Sequence, residues 1–426
     1  MSAYFFLVIT IFWILKPLKK SLFLRFYSER GLEWTWAGLT LDGPQAELMA
    51  KVLNLIVAVS ATAAFVFLTR RYRRQGLTYA FGAAFCLAFF GLYGVIDHPS
   101  EGVVWAFYLF GDLFNMVMVA AFFAYLNDLV SPRLAQRIYA FVVLGGVVGG
   151  VFGSTVVKAY ISEVAVSQWL GVCSALTLGI MALAFAVSRL KLPDTSHALE
   201  ESPVVVAAGM RVGIAGARVV VGSPYLCAIA GIVGIYEIVS TVMDFQFSAT
   251  ISYYLRGPAI GEQLASVFLV TNIVSLAVQL LLTRFVMQEL GIRAALSVLP
   301  FVVLVVAGGF AVMPLLWVGS SMSIADNALN YSMNQSAKES LYVPTGAREK
   351  YQAKAFIDIF VQRAAKAFGV VLSLAMSMWI HGDLTAVRWL SLLVGVLAVV
   401  WLIVARYAGS HFDKAASVPA SDAYAE

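Results

Sequence analysis

Apolar runs of about 20 residues, each long enough for a helix to cross a bilayer, recur along nearly the whole chain. They predict helices near residues 2–22, 49–69, 77–97, 103–127, 138–160, 168–188, 225–248, 263–285, 294–312, 315–337, 355–380 and 386–405. The connections between them are short and rich in Gly, Pro, Ser and charge. No alternation of period two sustains a strand. The expectation is therefore an all-α integral membrane protein with 12 transmembrane helices. The start, Met1 to Phe6, has no basic stretch and no small-residue cleavage site, so the first span is expected to stay.

Composition sharpens this picture. The chain is 61% hydrophobic and 12% charged, against roughly 25% charged in soluble domains. The formal charge of +5 sits in particular loops, which argues for membrane topology and against nucleic-acid binding. Arg70, Arg71, Arg73, Arg74, Arg133, Arg137, Arg189, Lys191, Arg211, Arg218, Arg284, Arg293, Lys338, Arg348, Lys350 and Lys354 all follow even-numbered spans. Those loops are expected on the cytoplasmic side, together with both termini. A bacterial inner membrane is the expected location.

Cys86, Cys173 and Cys227 lie in apolar runs without paired spacing, and the four histidines are scattered. Neither a disulfide framework nor a metal site is expected. No phosphate-binding P-loop, dinucleotide glycine fingerprint or converging nucleophile and base occurs, so neither a cofactor nor an enzyme activity is expected.

The longest polar connection divides the chain into residues 1–188, a six-helix bundle; 189–222, a cytoplasmic linker; 223–408, a second six-helix bundle; and 409–426, a cytoplasmic tail. Within the linker, Val204 to Val221 is apolar but broken by Gly and Arg, and reads as a helix lying on the membrane. This layout resembles the major facilitator superfamily, which implies two bundles rocking about a midplane site.

Charges inside spans mark candidate chemistry, because each costs at least about 2.5–3.5 kcal/mol at membrane depth. Lys16, Lys19 and Lys20 share one face of span 1 and read as an anion clamp; the competing reading has Lys19 and Lys20 reaching out to lipid headgroups. Pro17 should kink this helix. Asp112, with Asn115 one turn on, is a counter-ion for these lysines, a proton-coupling carboxylate or half of a static pair. Glu237 and Asp244 share a face of span 7, Glu237 being the deeper. Asn327, Asn330 and Asn334 form an amide stripe in span 10, read as binding surface or as interhelical glue. Gly145, Gly146, Gly149, Gly150 and Gly153 predict close helix packing in span 5.

The stretch from Asn330 to Gly369, with Tyr331, Ser332, Lys338, Glu339, Tyr342, Pro344, Lys354, Ile357, Asp358, Arg363 and Lys366 in order, resembles the ATP/ADP translocase family of plastids and intracellular bacteria. Phe12 to Lys20, Tyr236-Glu237-Ile238 and Leu109-Phe110-Gly111 are similar to its first-, seventh- and fourth-helix segments. Tyr108 stands where the fourth-helix glutamate is expected, and Pro17 and Lys20 depart from the usual aspartates; the missing glutamate and the added Lys20 shift the balance by about two charges toward positive. The resemblance implies a monomeric nucleotide transporter working by alternating access. Lys16, Lys19, Lys20, Asn330, Asn334, Arg363 and Lys366 would bind a nucleotide or other phosphorylated small molecule, and Asp112, Glu237 and Asp358 would act as coupling groups or counter-ions. The alternative is a proton-coupled facilitator of another small amphiphile or a lipid-like substrate. Membrane lipid is the only other expected partner.

Overall fold

The computed structural model describes residues 1–30, 34–36, 39–71, 74–129, 132–189, 216–345, 347–379 and 387–416. The polar linker expected at 189–222 falls outside them at 190–215, as does the tail at 417–426, whereas residues 216–221 are helical. Contacts divide the chain into two units: Met1–Val206 with Leu255–Asn272, and Ala207–Tyr254 with Ile273–Glu426.

The first unit contains α1 (Ser2–Arg30), a two-stranded hairpin β1 (Trp34–Trp36) and β2 (Leu39–Leu41), then α2 (Gly43–Arg71), α3 (Arg74–Tyr93), α4 (Glu101–Leu129), α5 (Pro132–Tyr160) and α6 (Val166–Arg189). The start of α8 (Pro258–Ala277) joins it. The second contains α7 (Pro224–Tyr254), π-helical segments Val278–Thr283 and Val286–Leu290, α9 (Gly291–Val312) and α10 (Leu316–Leu329). A π-helical segment Asn330–Asn334 then leads into α11 (Gln335–Ser340). After α12 (Ala347–Phe356) comes the segment Ile357–Val361, followed by α13 (Gln362–Trp379) and α14 (Leu390–Ala416).

Among the described residues, ten helical stretches are long and apolar enough to cross a membrane. The expected all-helical membrane architecture is found, with one antiparallel hairpin, Trp34 opposite Leu41, that the sequence pattern did not announce. The helix α1 runs on through Pro17. It carries Lys16, Lys19 and Lys20 and is not among the ten. The stretch from Leu316 to Ser340, rich in Ser and Asn, is likewise not among the ten.

Burial follows the logic of a protein in lipid, where apolar surface faces outward and polar groups turn toward protein. The polar start of α2, Gly43 to Leu48, is buried, whereas its apolar continuation is largely exposed. A capping box fixes that start: Asp42 accepts from the Gln45 amide at 2.8 Å and Gln45 Oε1 accepts from the Asp42 amide at 3.0 Å. In the second unit α7 is the most enclosed helix, with Glu237 and Gln246 both buried. Gln246 ties α7 to α14 by donating to Val387 O at 3.0 Å and Ser391 Oγ at 2.9 Å.

The glycine run of α5 lets its backbone meet α1 directly. A Cβ on Gly149 would stand 2.5 Å from Phe6 O, and one on Gly153 2.7 Å from Thr10 O. Thr10 Oγ1 reinforces the contact by donating to Gly149 O at 3.2 Å. Small residues at four-residue spacing thus permit a close crossing. Gly149→Val should lower thermal stability in detergent by about 1–3 kcal/mol, the usual cost of overpacking. Gly171→Ala, whose added carbon meets nothing within 4 Å, should melt with or slightly above the parent; equal melting of all three proteins would contradict the packing.

Candidate functional site

In the first unit the lysine face of α1 meets two carboxylates. Lys19 and Lys20 are 6% and 5% exposed, so neither reaches out to headgroups, and that reading of the sequence is replaced. Lys19 forms an ion pair with Asp112 of α4, whose other oxygen accepts from Asn54 of α2. Lys20 pairs with Glu47 of α2 at 3.1 Å, and Lys51, one turn along α2, approaches the same carboxylate at 3.8 Å. Tyr108 links the two pairs. Its hydroxyl donates to Glu47 Oε1 at 3.0 Å, its carbonyl lies 3.5 Å from Lys19 Nζ, and its ring centroid is 4.6 Å from that ammonium. Gly111 leaves room for the Lys19 stem, since a Cβ there would come within 2.8 Å of Lys19 Cδ.

Lys16 is half-buried and sits over aromatic faces, 4.5 Å from the Trp13 ring centroid and 4.8 Å from that of Phe268. Such cation–π contacts hold an ammonium without neutralising it. The Asn115 Oδ1 is buried without a hydrogen-bond partner. Asn127 and Asp128, near the end of α4, have side chains outside the described residues.

Glu47 and Lys51 were absent from the sequence reading, which began span 2 at residue 49. Their signals were present: a capping box at Asp42 to Gln45, and an i, i+4 Glu–Lys pair on the helix it opens. Charge counted from the fourth helix alone omitted Glu47, which stands beside Tyr108 and offsets one positive charge.

In the second unit Glu237 of α7 is 9% exposed and accepts from Gln362 Nε2 at 2.7 Å. Ser240, one turn on, donates to Asp326 of α10 at 2.7 Å. Tyr331 is 52% exposed. Lys338 Nζ stands 5.1 Å from the Tyr236 ring centroid. Arg363 and Lys366 are half-buried, and among the described residues neither is ion-paired to a carboxylate. Asp358 is exposed within its π-helical segment, with Lys354, Glu339 and Lys338 as its charged neighbours.

The amides of span 10 bond along their own helix. Asn327 Nδ2 donates to Ser323 O at 2.9 Å and Asn334 Nδ2 to Asn330 Oδ1 at 2.9 Å. Neither of these two bonds leaves the helix. Asn334 Oδ1 stays buried and without a hydrogen-bond partner. The wider turn at Asn330–Asn334 separates Asn327 from the other two. Asp326 is 3% exposed and went unremarked in the sequence; its spacing of four residues to Asn330 was the available signal.

The model of the TLC ATP/ADP transporter family matches residues 306–412. The chain is 21% identical over 442 residues to the chloroplastic ADP,ATP carrier protein 1 of Arabidopsis thaliana, covering 88% of this chain and 70% of that protein. It is 23% identical over 405 residues to ADP,ATP carrier protein 1 of Chlamydia pneumoniae, covering 78% of this chain and 77% of the relative. Among solved structures, a mutant form of the nucleoside transporter NupG superposes with a TM-score of 0.65 at 11% identity, over 95% of this chain and 98% of that one. The D-xylose-proton symporter gives 0.61 at 11% identity, over 98% of both chains. These structures show a major-facilitator type of fold. The resemblance read from Asn330 to Gly369 falls inside the stretch that the ATP/ADP transporter family model matches, and over most of its length the chain is similar, at low identity, to ADP,ATP carriers.

Proposed function

We propose that this protein is a secondary transporter that exchanges adenine nucleotides across a bacterial inner membrane by alternating access. One observation carries the reading: the core helix of the first unit holds three lysines on a single face, two of them under a tenth exposed. Buried cations of this kind need counter-charge, and a nucleotide's phosphates offer it in mobile form. Lys16, Lys19 and Lys20 are its ligands from the first bundle, taken as residues 1–188. Arg363 and Lys366 are its ligands from the second, residues 223–408, with Asn330 and Asn334 as amide partners. Lysine serves each phosphate as a point charge, and the arginine fork suits two phosphate oxygens at once.

Asp112, Glu237 and Asp358 act as counter-ions that keep the cations charged between substrates. Both termini are cytoplasmic in this reading, and the working unit is the monomer. The named activity of the Arabidopsis and Chlamydia relatives supports nucleotide exchange over proton-coupled carriage of a lipid-like substrate.

The test is uptake of labelled ATP into proteoliposomes preloaded with ADP. Lys366→Gln should lower uptake at least tenfold. Lys19→Gln leaves Asp112 without its cation, so Lys19→Gln/Asp112→Asn, which removes both charges, is the informative variant and should also lose at least tenfold. Near-parental uptake by both variants, in protein that melts normally, would overturn the assignment.

Binding has its own signature. At 100 times its Kd, ADP or ATP should stabilise the folded protein by about 2.7 kcal/mol, read as a rise in Tm, and xylose should leave Tm unchanged. A rise with xylose and none with nucleotide would point to a different substrate.

A further inference from the structure

We infer that Glu47 is an internal stand-in for the substrate's phosphate: it occupies Lys20 in the empty transporter and gives it up when a nucleotide arrives. The inference rests on the nucleotide reading above and assigns a role to a residue outside that set. Glu47 is 1% exposed, yet one oxygen gathers every described contact of its carboxylate. Oε1 receives Lys20 at 3.1 Å, Lys51 at 3.8 Å and the Tyr108 hydroxyl at 3.0 Å. Oε2 is buried without a hydrogen-bond partner.

A carboxylate built only to order the bundle would have both oxygens satisfied, because a buried acceptor left bare costs about 1–3 kcal/mol and more when charged. The half-satisfied carboxylate holds Lys20 well enough to keep it charged in a dry setting and weakly enough to be replaced. A phosphate brings more charge and more acceptor oxygens to the same ammonium. Asp112 differs: its side chain is 38% exposed and also accepts from Asn54, so water and an amide remain to it when Lys19 moves. Among the described residues Glu47 has Lys51 and Tyr108 to fall back on, and Lys51 lies one turn away on the same helix, close enough to keep the displaced carboxylate paired.

Glu47 is therefore a positioning residue, acting through Lys20. It weakens ground-state binding and in return speeds release, which separates KM from kcat. Glu47→Gln keeps the volume and an acceptor for Tyr108 but removes the competing charge. In ADP/ATP exchange its KM should fall three- to tenfold and its maximal rate should fall with it, whereas Glu47→Asp should stay within twofold of the parent. In a Lys20→Gln background the same Glu47→Gln change should leave KM unmoved. A KM that is unchanged or raised in folded Glu47→Gln, or an effect that persists without Lys20, overturns the inference.

If Glu47→Gln does not fold, the neutral pair Lys20→Gln/Glu47→Gln decides. A KM several-fold above the parent supports the inference, and a parental KM overturns it. If the parent protein exchanges no nucleotide, the proposed function fails, and the stand-in role is read separately with inorganic pyrophosphate. Its thermal stabilisation should be larger for Glu47→Gln than for the parent, and equal or smaller stabilisation overturns the role.

Discussion

Everything in the first unit is arranged around the ammonium groups of α1. A cation in a low-dielectric setting must be neutralised, ligated or hydrated, and burying it alone would cost far more than any packing interaction could return. The chain resolves this with Asp112 from α4 and Glu47 from α2, one for each buried lysine. Those two pairs dictate which faces of α2 and α4 turn inward. Tyr108 then welds the pairs into one network through its hydroxyl, carbonyl and ring. Lys16 is held differently, among the rings of Trp13 and Phe268.

This constraint explains what the sequence made legible and what it hid. Long apolar runs announce membrane helices because lipid asks only for length and hydrophobicity, and the helices found follow the windows closely. The same windows failed at α2. A hydropathy window discards a polar start as loop, yet in lipid the polar end is the part that belongs inside. Glu47, buried at 1% exposure, was lost for that reason. The hairpin at Trp34–Trp36 and Leu39–Leu41 escaped for another: three-residue strands are too short for any periodicity to register. Its order comes from tertiary contact, with Trp34 packed 4.8 Å from Trp105 between ring centroids.

In the second unit the hidden element is helical geometry. Spacing arguments assume 3.6 residues per turn, and four π-helical segments break that assumption. Two of them, Asn330–Asn334 and Ile357–Val361, fall inside the stretch whose residue order carries the family resemblance. An amide stripe drawn at ideal spacing through Asn327, Asn330 and Asn334 therefore splits, while Asp326 enters the polar interior with Ser240. Residue type was readable there; the face it occupies was not.

Low identity and a retained fold follow from the same physics. At a lipid-facing position such as Leu87, Phe90 or Leu281, all more than 70% exposed in the protein alone, Leu, Ile, Val and Phe serve almost equally, because the bilayer offers no shape to complement. Positions that meet another backbone are far narrower, as Gly149 against Phe6 shows. Charged interior positions are narrower still, since each must satisfy a partner of opposite sign at a set depth. A relative can therefore differ at about four residues in five, as the Arabidopsis carrier does at 21% identity, and keep the helices in place. The charges themselves can also move between elements, provided the count balances. Glu47 on α2 stands beside Tyr108 on α4, so the carboxylate that pairs with Lys20 comes from another helix than the fourth-helix position to which the resemblance points.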